Sequence, residues 1–256
     1  MRDLVPPRVE FWTGVHHPHN AGKVERAFIS INALRRRRGA FPVDRWILDC
    51  AGFKTIELHG GYPEAAELYA EQIKRWSTNG RLIAAVSQDY MCEPFMLAIT
   101  GLSVADHQRL TIERYDALLR CDRGGTYLMP VLQGYQPNEY AEHLQMYGAR
   151  LGPGAWVGVG SVCKRNGDPA RIAEVLLTIK KQRPDLRLHG FGIKKTALES
   201  GLVQSLLRTA DSMAWSYAAR REGRDANDIG EAIAYARAID TLPVQGDFSA
   251  MMECAA

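Results

Sequence analysis

Three carboxylates and one amide stand where apolar runs of this sequence end. Asp49, Asp89 and Asp211 each lie at or just after a short apolar run, and Gln133 with Gly134 follows another. An ionisable side chain on an apolar segment is costly unless it is paired or used. Because carboxylates can transfer protons or attack as nucleophiles, these positions predict a catalytic site built at the ends of strands.

Such a site requires parallel strands, because a β/α barrel carries its active site on the carboxyl ends of its strands and the loops that follow. The chain alternates strand-like and helix-like segments, and 256 residues is a normal length for one barrel. We predict an α/β fold, a (β/α)8 TIM barrel in a single domain over residues 1–240, with a peripheral tail over 241–256. The predicted strands are 8–15, 28–32, 46–50, 82–86, 127–132, 156–159, 186–191 and 210–214. The predicted helices are 64–76, 105–119, 138–147, one opened by Asp168 and Pro169, 196–207 and 216–239.

Composition places the chain among ordinary globular proteins. Hydrophobic residues make up 46% and charged residues 24%, which allows a sizeable core. The net charge of +3 does not by itself imply a polyanionic partner. Local clusters of positive charge are more informative, and the longest is the block of Arg35, Arg36, Arg37 and Arg38.

The five cysteines are scattered and odd in number, with no C-x-x-C pair, so neither a disulfide framework nor a zinc finger is indicated. His16, His17 and His19 are poor tetrahedral ligands without a nearby carboxylate or thiolate, and we predict no metal site. No run approaches the roughly 20 apolar residues of a membrane span. The first residues lack the apolar core of a signal peptide. These features predict a reduced, cytoplasmic protein that does not contact a membrane.

Six short motifs stand at the predicted strand ends, and they are LDCAGF (48–53), QDYMCEPF (88–95), VLQG (131–134), VGVGS (157–161), LHGFG (188–192) and DSMAWS (211–216). This set resembles the tRNA-guanine transglycosylase superfamily, and is most similar to its DNA-modifying branch, the DpdA family. Each motif alone is weak, but their shared order over residues 11–221 makes the set specific. The resemblance implies a reaction that exchanges guanine in DNA for a 7-deazaguanine such as preQ0, without cutting the backbone.

The resemblance also implies roles for single residues. Asp211 would be the nucleophile that holds a covalent glycosyl intermediate, and Asp49 the general acid and base. Asp89 would accept hydrogen bonds from N1–H and the amino group of the base, while Tyr90 or Met91 would sandwich its ring. The carbonyl oxygen of the base would be addressed by the group Gln133, Gly134, Gly158, Gly160 and Ser161.

Two departures from the superfamily affect these expectations. The tRNA enzymes carry a C-x-C-x-x-C…H zinc site, and this sequence has no such spacing, so no cofactor is expected beyond the 7-deazaguanine co-substrate. An ungapped match to the tRNA enzymes places Ala214, or alternatively Met213, at the nucleophile. We assign Asp211 because it is the sole carboxylate on that predicted strand.

The expected partner is DNA, whose target base must leave the stack to reach such a pocket. Binding of phosphates is expected from the cations Arg35, Arg36, Arg37, Arg38, Lys164 and Arg165. A homodimer, an accessory protein and a phage or bacterial source are left open.

Purely structural roles compete with these assignments. Asp49 could cap a turn, Asp89 or Asp211 could cap a helix, and His189 could be a core residue. The alternative functions are a tRNA-guanine transglycosylase, a non-catalytic nucleic-acid-binding barrel and a small-molecule glycosidase.

Overall fold

Parallel pairing joins the strands of residues 8–165 and 167–243 into one sheet that curls into a ring. The computed structural model describes residues 8–165 and 167–243, and within them nine strands pair in the order β5-β4-β3-β2-β1-β9-β8-β7-β6. The strands are β1 (Glu10–Gly14), β2 (Arg26–Ser30), β3 (Arg45–Asp49), β4 (Arg81–Val86), β5 (Tyr127–Met129), β6 (Val131–Leu132), β7 (Trp156–Val159), β8 (Arg187–Gly190) and β9 (Thr209–Ser212).

Strands β5 and β6 are two halves of one barrel strand, divided by Pro130. Proline has no N–H to donate, although its carbonyl still accepts a hydrogen bond from Gly158 N at 2.8 Å. One half pairs with β4 and the other with β7, so the divided strand brings together the two ends of the sheet. The predicted α/β fold, a TIM-like barrel in a single domain, is therefore confirmed, and the predicted strand 127–132 corresponds to β5 and β6.

The strands are buried on both faces, as expected for parallel strands covered by helices. Trp46, Ile47 and Leu48 in β3 are all fully buried. The outer helices are α1 (Gly52–His59), α2 (Ala66–Trp76), α3 (Pro94–Thr100), α4 (Val104–Leu119), α5 (Pro137–Tyr147), α6 (Pro169–Gln182), α7 (Lys195–Leu198), α8 (Gly201–Leu206), α9 (Ala214–Arg221) and α10 (Ile229–Asp240). None of these helices is long and apolar enough to cross a membrane.

Local sequence explains where several helices begin. The side chain of Asp168 accepts a hydrogen bond from Arg171 N at 3.4 Å, and Pro169 occupies the first turn, so the predicted opening of α6 is confirmed. Helix α4 begins with a capping box, in which Ser103 and Asp106 bond reciprocally to each other's backbone N–H.

Two predicted helices are each two helices in the structure. The segment 196–207 divides at Ser200, which has an extended backbone. The Ser200 side chain accepts a hydrogen bond from Val203 N and so caps the start of α8. The segment 216–239 divides at Gly223, which adopts a φ of +70° that favours glycine, and resumes at Asp228, the N-cap of α10. Helices α1 and α3 were not predicted. The predicted tail lies outside the described residues from position 244 onward.

Candidate active site

The carboxyl ends of the strands surround a cavity of about 700 Å³. Its lining includes all three predicted carboxylates, Asp49, Asp89 and Asp211, although they lie on separate strands or the loops after them. The other predicted base-binding residues in its lining are Met91, Gln133, Gly160 and Ser161. The fold thus brings most of the predicted catalytic and base-binding residues into one cavity.

Asp211 is buried near the end of β9, and hydrogen bonds hold one of its two carboxylate oxygens. Oδ1 accepts hydrogen bonds from Nε2 of His189 at 3.2 Å and from the backbone N of Gly192 at 3.1 Å. Oδ2 makes no hydrogen bond to any residue within 8–165 and 167–243. One oxygen is therefore fixed while the other remains available to a ligand in the cavity.

A chain of hydrogen bonds behind Asp211 orders the imidazole of His189. The Trp156 indole N–H donates to Thr209 Oγ1 at 2.8 Å, and this hydroxyl lies 2.8 Å from His189 Nδ1. Because an indole N–H can only donate, Thr209 accepts there and can donate its own proton to Nδ1. This direction leaves the Nε2 proton of a neutral His189 for Asp211. His189 is fully buried, as a core residue would be, and it also contacts the cavity carboxylate.

Asp49 ends β3 beside Ser30, its register partner at the end of β2. Its Oδ2 accepts a hydrogen bond from Ala51 N at 3.1 Å, and Ala51 adopts the left-handed conformation with a φ of +59°. That conformation is uncommon for a residue with a side chain and occurs often at functional sites. Burial, and then the charges of Asp211 and Asp89, raise the pKa of Asp49 to about 7. A carboxyl group with this pKa can carry or release a proton near neutrality.

Asp89 lies on the loop after β4, with both of its oxygens engaged. Oδ2 accepts a short hydrogen bond from Nε2 of Gln133, and Oδ1 accepts one from the Cys50 thiol at 3.3 Å. Burial raises the pKa of Asp89 to about 6, although the bonds from Gln133 and Cys50 oppose that shift. Asp89 and Gln133 therefore form one hydrogen-bonded wall of the cavity.

Gly160 is needed beside that wall. A Cβ at this position would overlap the Gln133 side chain, so only glycine lets the amide lie against the backbone. The Ser161 hydroxyl lies 2.8 Å from Gln133 Oε1, which connects the loop after β7 to the same wall.

Glu93 was not predicted as a site residue, yet it lines the cavity and is almost fully buried. The Ser161 hydroxyl lies 2.9 Å from its Oε2 and accepts a hydrogen bond from Cys92 N at 3.1 Å. In sequence Glu93 precedes Pro94 and resembles an ordinary helix N-cap, so its position inside the 88–95 motif was the one signal available. Other cavity residues that were not predicted include Ser30, Phe28, Phe53 and Phe191.

Three predicted residues lie beside the cavity and are absent from its lining. Tyr90 packs in a small apolar cluster with Ile56 and Met96, and its hydroxyl faces Tyr62 N. Gly134 packs against α5, and Gly158 lies under the ring of Phe191. Of the two residues predicted to sandwich the base, Met91 lines the cavity and Tyr90 does not.

The arginine block lies just outside the cavity, because Asn32 and Ala33, three and two positions before Arg35, belong to the lining. Arg35 pairs with Glu64 at 2.7 Å, and Arg37 donates to the carbonyls of Gly39 and Ala40. Arg36 and Arg38 are exposed.

Lys164 and Arg165 occupy the loop after β7, on the far side of the cavity from the arginine block's strand. The Lys164 ammonium lies 5.5 Å from the ring centre of Phe53 and 5.3 Å from that of Phe95. Arg165 donates to the carbonyl of Ser161 at 2.7 Å, and its guanidinium covers Tyr135. Both cations thus flank the rim of the cavity.

The described residues contain no group of three or more His, Cys, Asp or Glu side chains arranged to hold a metal ion. His16 lines the cavity and lies 2.7 Å from Ser216 Oγ, while His17 and His19 stack on each other. Burial, with the nearby charges of His17 and Arg220, lowers the pKa of His16.

A comparison with models of protein families gives a match. The family model described as DpdA, DeoxyPurine in DNA protein A, matches residues 8–232, which is most of the chain and contains every residue of the cavity described above. A search of curated proteins gives no match.

Proposed function

This chain belongs to the DpdA family, and from that membership we propose that it is a transglycosylase that exchanges guanine in DNA for a 7-deazaguanine base, preQ0 or a related one. The observation that carries the proposal is the position of Asp211 and Asp49 in one cavity. One carboxylate oxygen of Asp211 is fixed, the other accepts no hydrogen bond from the described part of the chain, and Asp49 has a pKa of about 7. Nucleophilic base exchange needs one carboxylate to attack and a second carboxyl group to move a proton.

In the first step, Oδ2 of Asp211 attacks C1′ of the target deoxyribose. The bond from C1′ to N9 of guanine breaks, its electron pair leaves with the base, and the Asp49 carboxyl group supplies the proton that neutralises it. The product is a glycosyl ester on Asp211 with Asp49 ionised. The His189 and Gly192 hydrogen bonds to Oδ1 keep the carboxylate aimed at the sugar.

In the second step, a 7-deazaguanine takes the place of guanine. Its N9–H proton passes to Asp49, N9 attacks C1′, and the ester bond to Asp211 breaks. Both carboxyl groups return to their starting states, and no phosphodiester bond is cut. Because the ester has no negative charge, the intermediate lacks the Asp211 charge, which is one of the causes that raise the pKa of Asp49, and the Asp49 carboxylate persists more readily until it acts as a base.

Base recognition is assigned to the wall formed by Asp89 and Gln133. An ionised Asp89 accepts from N1–H and the exocyclic amino group, a pair of donors that guanine and 7-deazaguanines share. The Gln133 amide and the backbone around Gly160 and Ser161 address the carbonyl oxygen of the base. The cations Lys164 and Arg165, with the exposed members of the arginine block, neutralise backbone phosphates of a strand whose target base is flipped out.

The test is nucleoside mass spectrometry after incubating the protein with preQ0 and guanine-containing DNA, or with preQ0 and unmodified tRNA. We expect a deazaguanine deoxynucleoside from DNA with the wild-type protein, none with Asp211→Asn, and much less with Asp49→Asn. Asp44→Asn is the matched control, because Asp44 forms an exposed ion pair with Arg81 at the amino end of β3. Modified tRNA with unmodified DNA would replace the proposal with a tRNA-guanine transglycosylase. No product on either polymer would refute base exchange by the protein alone.

A further inference from the structure

A second pocket, of about 440 Å³, opens directly beside the catalytic cavity. It lies between the loop after β8 and helix α9, which begins after β9, so it faces the same end of the barrel. The two pockets share a wall, because Met213 lines the catalytic cavity and the next residue, Ala214, lines the second pocket. The two pockets are therefore neighbours at the same end of the barrel.

The second pocket carries an excess of positive charge. Its lining includes the cations Lys194, Lys195 and Arg221, against the single carboxylate Glu222. Glu222 is itself paired with Arg224 at 2.6 Å, and Lys195 pairs with Glu199 at 2.8 Å in an exposed position. Exposed pairs of this kind are weak, so an anion in the pocket can compete with Glu199 for the Lys195 ammonium.

An exposed aromatic ring stands among these cations. Tyr217 is 55% exposed, although it is a large aromatic side chain on a short helix. The Lys194 ammonium lies 5.6 Å from its ring centre, and the Arg221 guanidinium carbon lies 6.0 Å away. Cations next to an exposed aromatic face are the combination that proteins use to hold single-stranded nucleic acid, with phosphates on the cations and a base on the ring.

We propose that this second pocket binds the phosphate on one side of the target nucleotide, and that Tyr217 stacks on the neighbouring base. This inference rests on the proposed function, because it takes the ligand to be a nucleic-acid strand. The sugar that Asp211 attacks carries a phosphate on each of its two backbone oxygens, so one phosphate must leave the catalytic cavity close to Asp211. Asp211 and Ala214 are three positions apart, which puts the second pocket within reach of that phosphate.

The position of the second pocket matches a common phosphate-binding position of barrel enzymes. In β/α barrels, phosphate groups are often bound by the loops after the seventh and eighth strands. Counting β5 and β6 as one barrel strand, β8 and β9 are the seventh and eighth here. Charge and position thus favour a phosphate at this pocket over an apolar or cationic ligand.

The inference is tested by fluorescence anisotropy with a short guanine-containing single-stranded oligonucleotide at several salt concentrations. Tyr217→Ala should raise Kd at least about fivefold, the lower limit for removal of one base–aromatic stack. Tyr217→Phe keeps the ring and should bind as wild type does. Lys194→Gln and Arg221→Gln should each lower the slope of log Kd against log salt, and the double variant should lower it by about 0.7, as expected when one phosphate of a single strand is no longer neutralised.

Lys181→Gln is the charge control, because Lys181 is exposed at the far end of α6. Calorimetric titration with free preQ0 should give the same Kd for wild type and all variants, which shows that the catalytic cavity is intact. If the wild-type protein binds DNA and exchanges the base, and the variants keep the wild-type Kd and salt slope, this inference is overturned and the proposed function stands. Wild-type protein that exchanges no base on DNA would refute the proposed function. A change in oligomeric state of Tyr217→Ala on gel filtration, with DNA affinity unchanged, would assign the surface to a second copy of the chain and also overturn the inference.

Discussion

His189 Nε2 lies 3.2 Å from Oδ1 of Asp211, and both side chains are almost without solvent contact. The hydrogen bond fixes one oxygen of the proposed nucleophile, a residue that lines the cavity. His189 does not reach the cavity lining itself. It therefore acts as a positioning residue, and its own orientation depends on Thr209 and Trp156 behind it.

Thr209→Val should disturb that orientation with little change of volume. Without the hydroxyl, Nδ1 of His189 loses its donor, and the imidazole can place its proton on the wrong nitrogen. We expect the single-turnover rate of base exchange to fall about tenfold, the effect of weakening one hydrogen bond to a charged group. Affinity for free preQ0 should not change. Thr178→Val on α6 is the control, and a rate equal to wild type would exclude the ordering role of Thr209.

The rate of exchange should depend on pH in a bell-shaped manner. Asp89 must be ionised to accept from the base, so kcat/KM should rise as pH increases through its pKa of about 6. Asp49 must be protonated to act as the acid, so kcat/KM should fall as pH increases through its pKa of about 7. The two limbs report apparent values of the coupled carboxyl groups. Asp49→Asn should be slow and lack the falling limb, whereas a flat wild-type profile across both pKa values would contradict these proton assignments.

The same burial of Asp49 should affect stability. Its pKa is raised from 3.8 to about 7, so the folded protein holds a proton that the unfolded chain has released between these values. The free energy of unfolding should therefore fall as pH rises from about 4 to 7, by at most about 4 kcal/mol from this group. Asp49→Asn removes the penalty and should be more stable than wild type at about pH 8 and nearly equal to it at about pH 4. Urea unfolding at both pH values measures the difference, and a less stable variant at the higher pH would contradict it.

The sequence predicted the barrel well because its signal is local. Each strand is a short apolar run, and each site carboxylate stands at the end of one, so Asp49, Asp89 and Asp211 could be placed on the same edge of the sheet. Glu93 and His189 could not be assigned in this way, because their contacts join residues 68 and 22 positions apart in the chain. The break at Gly223 was missed for a different reason: helical periodicity continues on both sides of it, and only the backbone conformation ends α9.

Gly160→Ala should separate base recognition from nucleic-acid binding. The added methyl group would displace the Gln133 side chain and with it the hydrogen bond to Asp89. We expect affinity for free preQ0 to fall about tenfold or more, since the wall loses a hydrogen bond to a charged group, while affinity for DNA stays unchanged. Gly152→Ala is the matched control, because a Cβ there meets nothing within 4 Å. Unchanged preQ0 affinity in calorimetry would remove Gln133 from base recognition.

The arginine block should contribute to DNA binding through its exposed members. Arg35 is paired with Glu64 and Arg37 is bonded to nearby carbonyls, while the Arg75 guanidinium holds the backbone of Arg37 and Arg38 from α2. The Arg36→Ala, Arg38→Ala double variant therefore removes two exposed charges without breaking this local structure. We expect weaker DNA binding at low salt and a salt slope lower by about 0.7 to 0.9 for each phosphate that is no longer neutralised.

Lys181→Gln, at the opposite end of the barrel, should leave that slope unchanged. The melting temperature of the double variant should match wild type, because exposed charges contribute little to stability. If the slope of the double variant equals that of wild type, the arginine block lies outside the DNA interface. The phosphates must then be neutralised by Lys164 and Arg165 and by the pocket around Tyr217, which predicts a smaller slope in Lys164→Gln than in the arginine variant.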